Sequence, residues 1–276
     1  MVNAISTLVG EELDEEDKGY RVTVVGNNGS LYGIPFYGHR DHWGYRDNPS
    51  RVTKFDPVDN SMTYIGPDFS AYSEWYRGTM TDDGVICSPP LNEECGILKI
   101  DTNTDTVTEL DAILLPEQGF WNRRTSCATA LDGCIYFMPY HAHRIMKLDP
   151  KNNDTMTSVR DNLGTRACGK YHGMVVGIDV CVYGIPDNST TNRILRYDPI
   201  NDITSFVGEE ADEDLKCRRN GVLGRDGCIY VLDGDSRVLK IDTTNNSHCI
   251  VGNRVEVEVF VYAWGDAVLG IDGCIY

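Results

Sequence analysis

The sequence predicts an all-β fold, a six-bladed β-propeller of four-stranded antiparallel blades, and three observations support this prediction. A phrase of the form Gly-Cys-Ile-Tyr returns six times, with first residues at positions 29, 84, 133, 180, 227 and 273. Its steps of 46 to 55 residues are typical of a repeat architecture. Turn residues divide each repeat into four short segments, and no window has the apolar period of a long helix. Four antiparallel strands in a unit of this length form the blade of a propeller.

The first two segments of each repeat, a and b, form a hairpin. Segment a ends in runs such as Thr-Val-Val-Gly (23–26), and segment b is the Cys-Ile-Tyr strand, rich in β-branched and aromatic residues. Between them stands Asn28-Gly29, or an Asp-Gly pair in most other repeats, and only Asp179-Val180 departs from this pattern. These dipeptides predict a type I′ turn, in which both central residues have positive φ.

Segments c and d form the second hairpin. Segment c reads Arg-Ile-Met-Lys-Leu-Asp (144–149) in the third repeat, and segment d is a Thr-rich strand ending near Gly66, Gly208 or Gly252. An Asp that begins a turn accepts hydrogen bonds from the backbone just beyond it. We therefore assign the recurrent Asp of segment c a structural role. Because neighbouring blades cover both faces of a sheet, segments b and c are expected to be apolar on both sides.

The repeats predict a single propeller domain over residues 1–276. The N-terminal residues resemble segment d and the C-terminal residues resemble segment b, so the closing blade combines the two ends of the sequence. Segment c of that blade has no visible counterpart, which leaves open an imperfectly closed ring and a fragment of a longer array. The repeats are assigned to residues 19–66, 74–110, 122–159, 171–208, 218–252, and 262–276 together with 1–10.

The repeat also resembles known families. The pattern Asp-Gly-x-Ile-Tyr, followed by Arg-Ile-x-Lys-Leu-Asp-Pro and then Thr over 132–157, is similar to the repeats of NHL, streptogramin-lyase and gluconolactonase-type propellers. It is also similar to tandem Asp-Gly-Cys-Ile-Tyr repeat proteins of unassigned function. The resemblance covers nearly the whole chain and implies the propeller fold. It implies no single activity, because such propellers include lyases, lactonases and binding scaffolds.

Composition excludes several classes of function. The formal charge of -17 over 276 residues disfavours nucleic acid and membrane surfaces as partners, since both are bound by clustered Lys and Arg. No apolar run is long enough to span a bilayer, and the N-terminal residues have no signal-peptide pattern. We therefore expect a soluble protein without membrane insertion, in an undetermined compartment with the cytosol slightly favoured.

Ten cysteines are many for a cytosolic chain, but their positions indicate packing. Four of them occupy the same place in successive repeats, beside the tyrosine of segment b, where a small soft hydrophobe fits. The repeat places these four in separate blades, too far apart to pair. Cys87 and Cys95 are closer in sequence and are candidates for a disulfide in an oxidising compartment. The four recurrent residues are Cys134, Cys181, Cys228 and Cys274.

In a propeller the b–c and d–a connections share one face, and loops there commonly carry function. The longest b–c loop contains His39, Arg40, His42 and Trp43, and the third b–c loop adds histidines 141 and 143. Neutral imidazoles ligate metals or transfer protons. The spacing lacks the Cys or carboxylate partners of a dedicated metal site, so solvated or partner-contacting loops are the favoured interpretation. The third-loop candidates are thus His141 and His143.

Two d–a loops are strongly acidic and nearly duplicate each other, at residues 10–18 and 208–216. Neither has the ligand spacing of a calcium loop, so a solvated acidic rim that attracts basic partners is favoured. No cofactor is predicted, and a divalent metal, Ca or Mg, is left open.

Cations recur where segment a begins. Since segment a is the innermost strand of a blade, a positive ring there suits a carboxylate or phosphate ligand. Pairing with the neighbouring acidic loops is the favoured alternative. These cations are Arg21, Arg77, Arg123, Arg124, Lys170, His172, Arg218 and Arg219.

The sequence therefore favours a non-catalytic binding or scaffold propeller that presents its loop-bearing face to a protein or a small anionic ligand. No nucleophile elbow, phosphate-binding glycine loop or Cys-x-x-Cys motif is present. The alternative is a metal-dependent propeller enzyme of lyase or lactonase type, with its site at the channel mouth and a loop histidine as acid or base.

Overall fold

A computed structural model describes most of the chain, and the described part is entirely β-strand and turn. The chain divides into two compact units, residues 1–111 and 112–276. The residues described are 20–36, 50–69, 73–91, 95–111, 126–140, 142–159, 163, 169–187, 191–211, 220–232, 237–252 and 267–276.

The first unit contains two four-stranded antiparallel sheets, each a meander in which consecutive strands are neighbours. These are the predicted blades 1 and 2. Blade 1 consists of β1 (Tyr20–Val25), β2 (Leu31–Pro35), β3 (Ser50–Asp56) and β4 (Ser61–Phe69). Blade 2 consists of β5 (Thr79–Met80), β6 (Val85–Ser88), β7 (Ile97–Asp101) and β8 (Thr106–Leu110).

The second unit contains three further sheets of the same order, blades 3 to 5, and a short C-terminal hairpin closed by a bridge between Leu269 and Ile275. Blade 3 consists of β9 (Ser126–Thr129), β10 (Ile135–Met138), β11 (Met146–Asp149) and β12 (Thr155–Ser158). Blade 4 consists of β13 (Tyr171–Val176), β14 (Val182–Pro186), β15 (Leu195–Asp198) and β16 (Ile203–Phe206). Blade 5 consists of β17 (Gly221–Leu223), β18 (Cys228–Leu232), β19 (Val238–Asp242) and β20 (Ser247–Val251). Five sheets are therefore described, and the sixth blade stays a prediction.

Apolar clusters fill the spaces between consecutive blades within each unit. One cluster joins blades 1 and 2, another joins blades 3 and 4, and a third joins blades 4 and 5. Every residue of β10 and of β14 is buried, as predicted for a strand covered on both faces. The inner strand β13 contacts both β9 and β17.

The a–b turns differ from the predicted type I′ geometry. Among Asn-Gly and Asp-Gly turns, positive φ occurs at the glycine, as at Gly133 with 79°, and not at the preceding residue. The N–H of Gly133 donates to Ala130 O at 2.9 Å, which is a type I turn followed by a left-handed residue. The reason lies in the aspartate, because Asp132 accepts the N–H of Cys134 at 3.0 Å through its side chain. In the Asp179-Val180 turn, Val180 takes the left-handed position that glycine occupies in the other repeats, although it is β-branched, and its φ is 63°.

The same turn aspartates bind the strand tyrosine and a cation of segment c. Asp132 accepts bonds from the Tyr136 hydroxyl at 2.8 Å and from Lys147 Nζ at 3.0 Å. Burial raises the pKa of Asp132, but these bonds outweigh it and the pKa lies below its usual value. We call this arrangement the turn triad. It recurs as Asp179, Tyr183 and Arg196, and as Asp226, Tyr230 and Lys240.

Blade 1 builds its triad with a carboxylate from blade 2. Asn28 stands at the turn position, and its amide donates to the Tyr32 hydroxyl and to Thr102 O, both at 2.8 Å. The Tyr32 hydroxyl donates to Asp105 Oδ1 at 2.8 Å, and Lys54 Nζ lies 2.6 Å from Asp105 Oδ2. We call this arrangement the exchanged triad, because its acid comes from the neighbouring sheet. It links blade 2 to blade 1 through these hydrogen bonds.

The recurrent aspartates of segment c are structural, as predicted. Asp101, Asp149 and Asp198 each accept the backbone N–H two residues further on, at 2.9 to 3.1 Å. Hydrogen bonds lower the pKa of Asp198; the largest effect comes from the Asn201 side chain, and backbone N–H groups add to it.

Three of the four recurrent cysteines are buried, as expected for a packing role. Cys134, Cys181 and Cys228 are at most 6 % exposed, whereas Cys274 is exposed. The candidate disulfide between residues 87 and 95 is not formed, and both side chains are buried as separate thiols. Instead, the Cys95 thiol lies 3.7 Å from Glu74 O, within the range of a bond to sulfur.

Candidate functional site

In each sheet the b–c and d–a connections lie at the end opposite the a–b and c–d turns, because all strands are antiparallel. We call this end the loop end. Four of the predicted site residues are described there with their side chains: Arg77, His143, Lys170 and His172. The backbone of Arg21 is described within β1. The predicted residues outside the described part are His39, Arg40, His42, Trp43, His141, Arg123, Arg124, Arg218 and Arg219.

His172 occupies a β-bulge at the start of the inner strand of blade 4. Tyr171 pairs with Pro186 and Gly173 pairs with Ile185, so His172 is the extra residue. Arg21 is the extra residue at the same place in β1. A bulge redirects the side chain that it inserts and is common beside functional sites. The two strands therefore place two sequence-predicted candidates in the same unusual backbone position.

A buried polar cluster surrounds His172, and we call it the Tyr140 cluster. The Tyr140 hydroxyl donates to Asp187 Oδ2 at 3.1 Å, and the Tyr140 ring meets the His172 imidazole edge to face with centroids 6.4 Å apart. Lys170 Nζ donates to Ala142 O at 3.0 Å. Lys170, His172 and Asp187 are each at most 4 % exposed, whereas Tyr140 is half-buried.

Backbone hydrogen bonds hold this cluster at the junction of blades 3 and 4. The N–H groups of Gly169 and Lys170 both donate to Tyr140 O at 3.1 Å, and Asp187 N–H donates to Lys170 O at 3.1 Å. The ring therefore comes from blade 3, whereas the ammonium, imidazole and carboxylate come from blade 4. Burial also raises the pKa of Tyr171, which keeps that neighbouring phenol neutral.

The first unit has a related cluster at the loop end of blade 2, the Tyr76 cluster. The Arg77 guanidinium lies 5.2 Å from the centroid of the Tyr76 ring, and the Phe36 and Tyr76 rings are 6.2 Å apart. Arg77 is 4 % exposed, and the Ser88 hydroxyl donates to its carbonyl oxygen. Trp75 N–H donates to Pro35 O at 3.2 Å, which ties this segment to blade 1.

A third polar contact links the inner strands of the second unit. Asn220 Oδ1 accepts bonds from the Ser126 hydroxyl at 3.1 Å and from Met174 N–H at 3.0 Å. Ser126 belongs to blade 3 and Asn220 immediately precedes β17 of blade 5, so the two side chains meet across blade 4.

His143 is half-buried on the third b–c connection, and its carbonyl oxygen accepts the N–H of Leu163 at 2.7 Å. Within the described ranges, no three His, Cys, Asp or Glu side chains are grouped closely enough to hold a metal ion. The acidic loop beginning at Gly208 is described only as far as Ala211.

Comparisons with solved structures identify the architecture. A streptogramin B lyase aligns with a TM-score of 0.67 and 16% identity over 92% of this chain and 74% of its own. The chain is a β-propeller. The resemblance to streptogramin-lyase and lactonase-like propellers stated from the repeat is thereby confirmed at the level of fold.

Two further structures extend the comparison. The extracellular domain of a putative one component system from B. thetaiotaomicron aligns with a TM-score of 0.66 and 10% identity over 97% of this chain and 34% of that one. A putative 6-phosphogluconolactonase from Bacteroides uniformis aligns with a TM-score of 0.59 and 11% identity over 91% and 75%. No family model matches the sequence, and no curated protein matches it. Within the described residues, no helix has the length and apolarity to cross a membrane.

Proposed function

We propose that this protein is a non-catalytic binding propeller that holds a small anionic ligand at its loop end. The observation that supports the proposal is the burial of Lys170 and His172, at most 4 % exposed, in the Tyr140 cluster. Lys is almost never fully buried, because removing its charge from water is costly. The Lys170 ammonium donates to the Ala142 carbonyl oxygen, and a carboxylate or phosphate bound beside it would accept a further, charge-assisted hydrogen bond.

The setting of this charge supports an anion as the ligand. The formal charge of the chain is -17, so most of its surface repels anions and a local cationic site provides selectivity. Both units place a basic side chain near the start of an inner strand. It is His172, at the bulge, in the second unit and the buried Arg77 in the first. A protein partner would use the same site through an acidic side chain. The loop candidates His39, His42, His141 and Arg124 remain predicted members of the binding face.

Calorimetric titration with acetate and inorganic phosphate tests this proposal. Lys170→Met keeps the length of the side chain and removes its charge, and we expect it to weaken binding at least about tenfold. Lys151→Met is the matched control, because Lys151 is exposed on a c–d turn at the opposite end of blade 3. Equal binding by both variants and the unaltered protein, or no binding at all, would overturn the proposal.

One observation favours the second candidate, a propeller enzyme of lyase or lactonase type. The hydrogen-bonded Tyr140 and Asp187 lie beside the His172 imidazole, and these three groups are able to transfer protons. Activity toward a panel of lactones, with and without Mg²⁺ or Ca²⁺, tests this candidate. Turnover abolished by His172→Gln and preserved by Lys151→Met would favour the enzyme over the pure binding protein.

A further inference from the structure

The a–b turn of blade 1 contains a chemically reactive dipeptide. Asn28 and Gly29 form one of the two Asn-Gly pairs of the chain, the other being Asn220 and Gly221. In such a pair the glycine nitrogen can attack the amide carbon of the asparagine side chain, since glycine has no side chain to obstruct the approach. Asn28 and Gly29 are both exposed, and a Cβ built on Gly29 would meet no atom within 4 Å. Water and solvent bases therefore reach this dipeptide.

Hydrogen bonds of the native turn oppose the reaction. The Gly29 N–H donates to Gly26 O at 3.0 Å, and this N–H must lose its proton before the nitrogen can attack. The Asn28 Nδ2 group, which must leave, donates to the Tyr32 hydroxyl and to Thr102 O, both at 2.8 Å. The attack therefore requires the turn to open and to release its hydrogen bond to blade 2.

We infer that Asn28 is a self-modification site, at which opening of the exchanged triad permits deamidation. The deprotonated Gly29 nitrogen forms a bond to Asn28 Cγ, the bond from Cγ to Nδ2 breaks, and Nδ2 takes a proton from solvent and leaves as ammonia. Water then hydrolyses the cyclic imide at either of its two carbonyl groups and gives aspartate or isoaspartate. Water is the one co-reactant, and the reaction is independent of the proposed ligand.

The product changes the junction between blades 1 and 2. It has no amide hydrogens to donate to the Tyr32 hydroxyl or to Thr102 O, and it adds a carboxylate close to Asp105. The junction therefore loses two hydrogen bonds permanently, so a transient opening leaves a lasting change. The other five repeats already have Asp at this position, which makes blade 1 the one repeat where the sequence allows this conversion.

Peptide mapping by mass spectrometry tests the inference, because deamidation changes the mass of the peptide that contains residue 28. The native protein at neutral pH is expected to deamidate Asn28 at least about tenfold more slowly than the same protein unfolded in urea. Tyr32→Phe keeps the buried ring and removes one acceptor of the Asn28 amide. It is expected to accelerate deamidation of the native protein roughly fivefold.

Two controls separate the exchanged triad from general stability. Ile100→Val is the matched variant, because it weakens the apolar cluster that contains Tyr32 and leaves every group that binds Asn28 in place. Asn220 is the internal reference in every sample, because the side-chain hydrogen bonds described for it lie in the second unit. We expect Tyr32→Phe to accelerate the reaction at Asn28 alone and Ile100→Val to leave both rates nearly unchanged.

Equal rates at Asn28 in the native and the unfolded protein would overturn the inference. Equal acceleration by Tyr32→Phe and Ile100→Val would overturn it too, since the exchanged triad would then not control the reaction. Anion exchange separates the deamidated protein, and its urea midpoint is expected to be lower than that of the unaltered protein. An unchanged midpoint would overturn the assigned effect on the blade junction.

Discussion

The exchanged triad of blade 1 makes a quantitative prediction for Asn28→Asp. A carboxylate at this position cannot donate to the Tyr32 hydroxyl or to Thr102 O, so two hydrogen bonds are lost at about 1 kcal/mol each. It also brings a second negative charge within about 6 Å of Asp105, because both groups lie 2.8 Å from the Tyr32 oxygen. After solvent screening this repulsion costs about 1 kcal/mol. We expect Asn28→Asp to lower the free energy of unfolding by about 2 to 3 kcal/mol.

Adding Asp105→Asn should recover much of this loss. In blades 3 to 5 the turn carboxylate alone accepts the tyrosine hydroxyl and the segment c cation, as Asp132 does for Tyr136. The double variant gives blade 1 the same arrangement and removes the like-charge contact. The coupling between the two substitutions is therefore expected to be about 1 to 2 kcal/mol in favour of the double variant.

Urea unfolding followed by tryptophan fluorescence measures this coupling, and the first unit contributes the fully buried Trp75 as a probe. Asp226→Asn serves as the reverse control, since it removes a turn carboxylate at a place where no described residue of another blade supplies one. If the losses in unfolding free energy of Asn28→Asp and Asp105→Asn add up to that of the double variant within about 0.5 kcal/mol, the exchanged triad is refuted. An Asn28→Asp variant as stable as the unaltered chain would also refute it.

Three further predictions follow from the hairpins. Val180→Gly relieves a left-handed β-branched residue and is expected to raise the free energy of unfolding by about 1 kcal/mol in the same urea assay, whereas a decrease would contradict the assigned cost. Ellman's reagent is expected to label the exposed Cys249 before Cys134, because burial raises the pKa of the Cys134 thiol to about 11, and rapid labelling of Cys134 in the native protein would be inconsistent with this. Hydrogen bonds, led by the one from Tyr230, lower the pKa of Asp226 to about 2. Because this pKa lies below its unfolded value of about 3.9, its stabilisation is complete above about pH 4 and is lost as pH falls toward 2. Thermal unfolding should show this loss, and Asp226→Asn should reduce it; identical profiles for the two proteins would exclude the assignment.

The strand order could be read from the sequence because it depends on local patterns. Each Asp-Gly dipeptide correctly marks an a–b turn, and the apolar segments correctly predict strands β10 and β14. The turn type could not be read in the same way. Asn and Asp suit positive φ, but Asp132 instead uses its side chain to hold the N–H of Cys134, and this choice depends on atoms beyond the dipeptide.

The candidate site was only partly predictable for a related reason. The cations Arg77, Lys170 and His172 all lie near the start of segment a in their repeats, so the repeat alone identifies them. Tyr140 and Asp187 were missed because their hydrogen bond joins residues 47 apart in different blades. The Ser126 contact with Asn220 spans 94 residues. A signal was present, since Phe36 and Tyr140 follow the proline that ends segment b in their repeats, as Asp187 does in blade 4.

The turn triad also bears on how such a chain can grow by duplication. Blades 3 and 5 each contain the Asp, Tyr and Lys of their own triad, so a duplicated copy of either blade would keep these hydrogen bonds. Blade 1 lacks that independence, because Tyr32 and Lys54 bind Asp105 of blade 2. Moving blade 1 without blade 2 would leave Tyr32 and Lys54 without this carboxylate, so we expect the two-blade segment to be the better unit for shuffling or shortening the repeat.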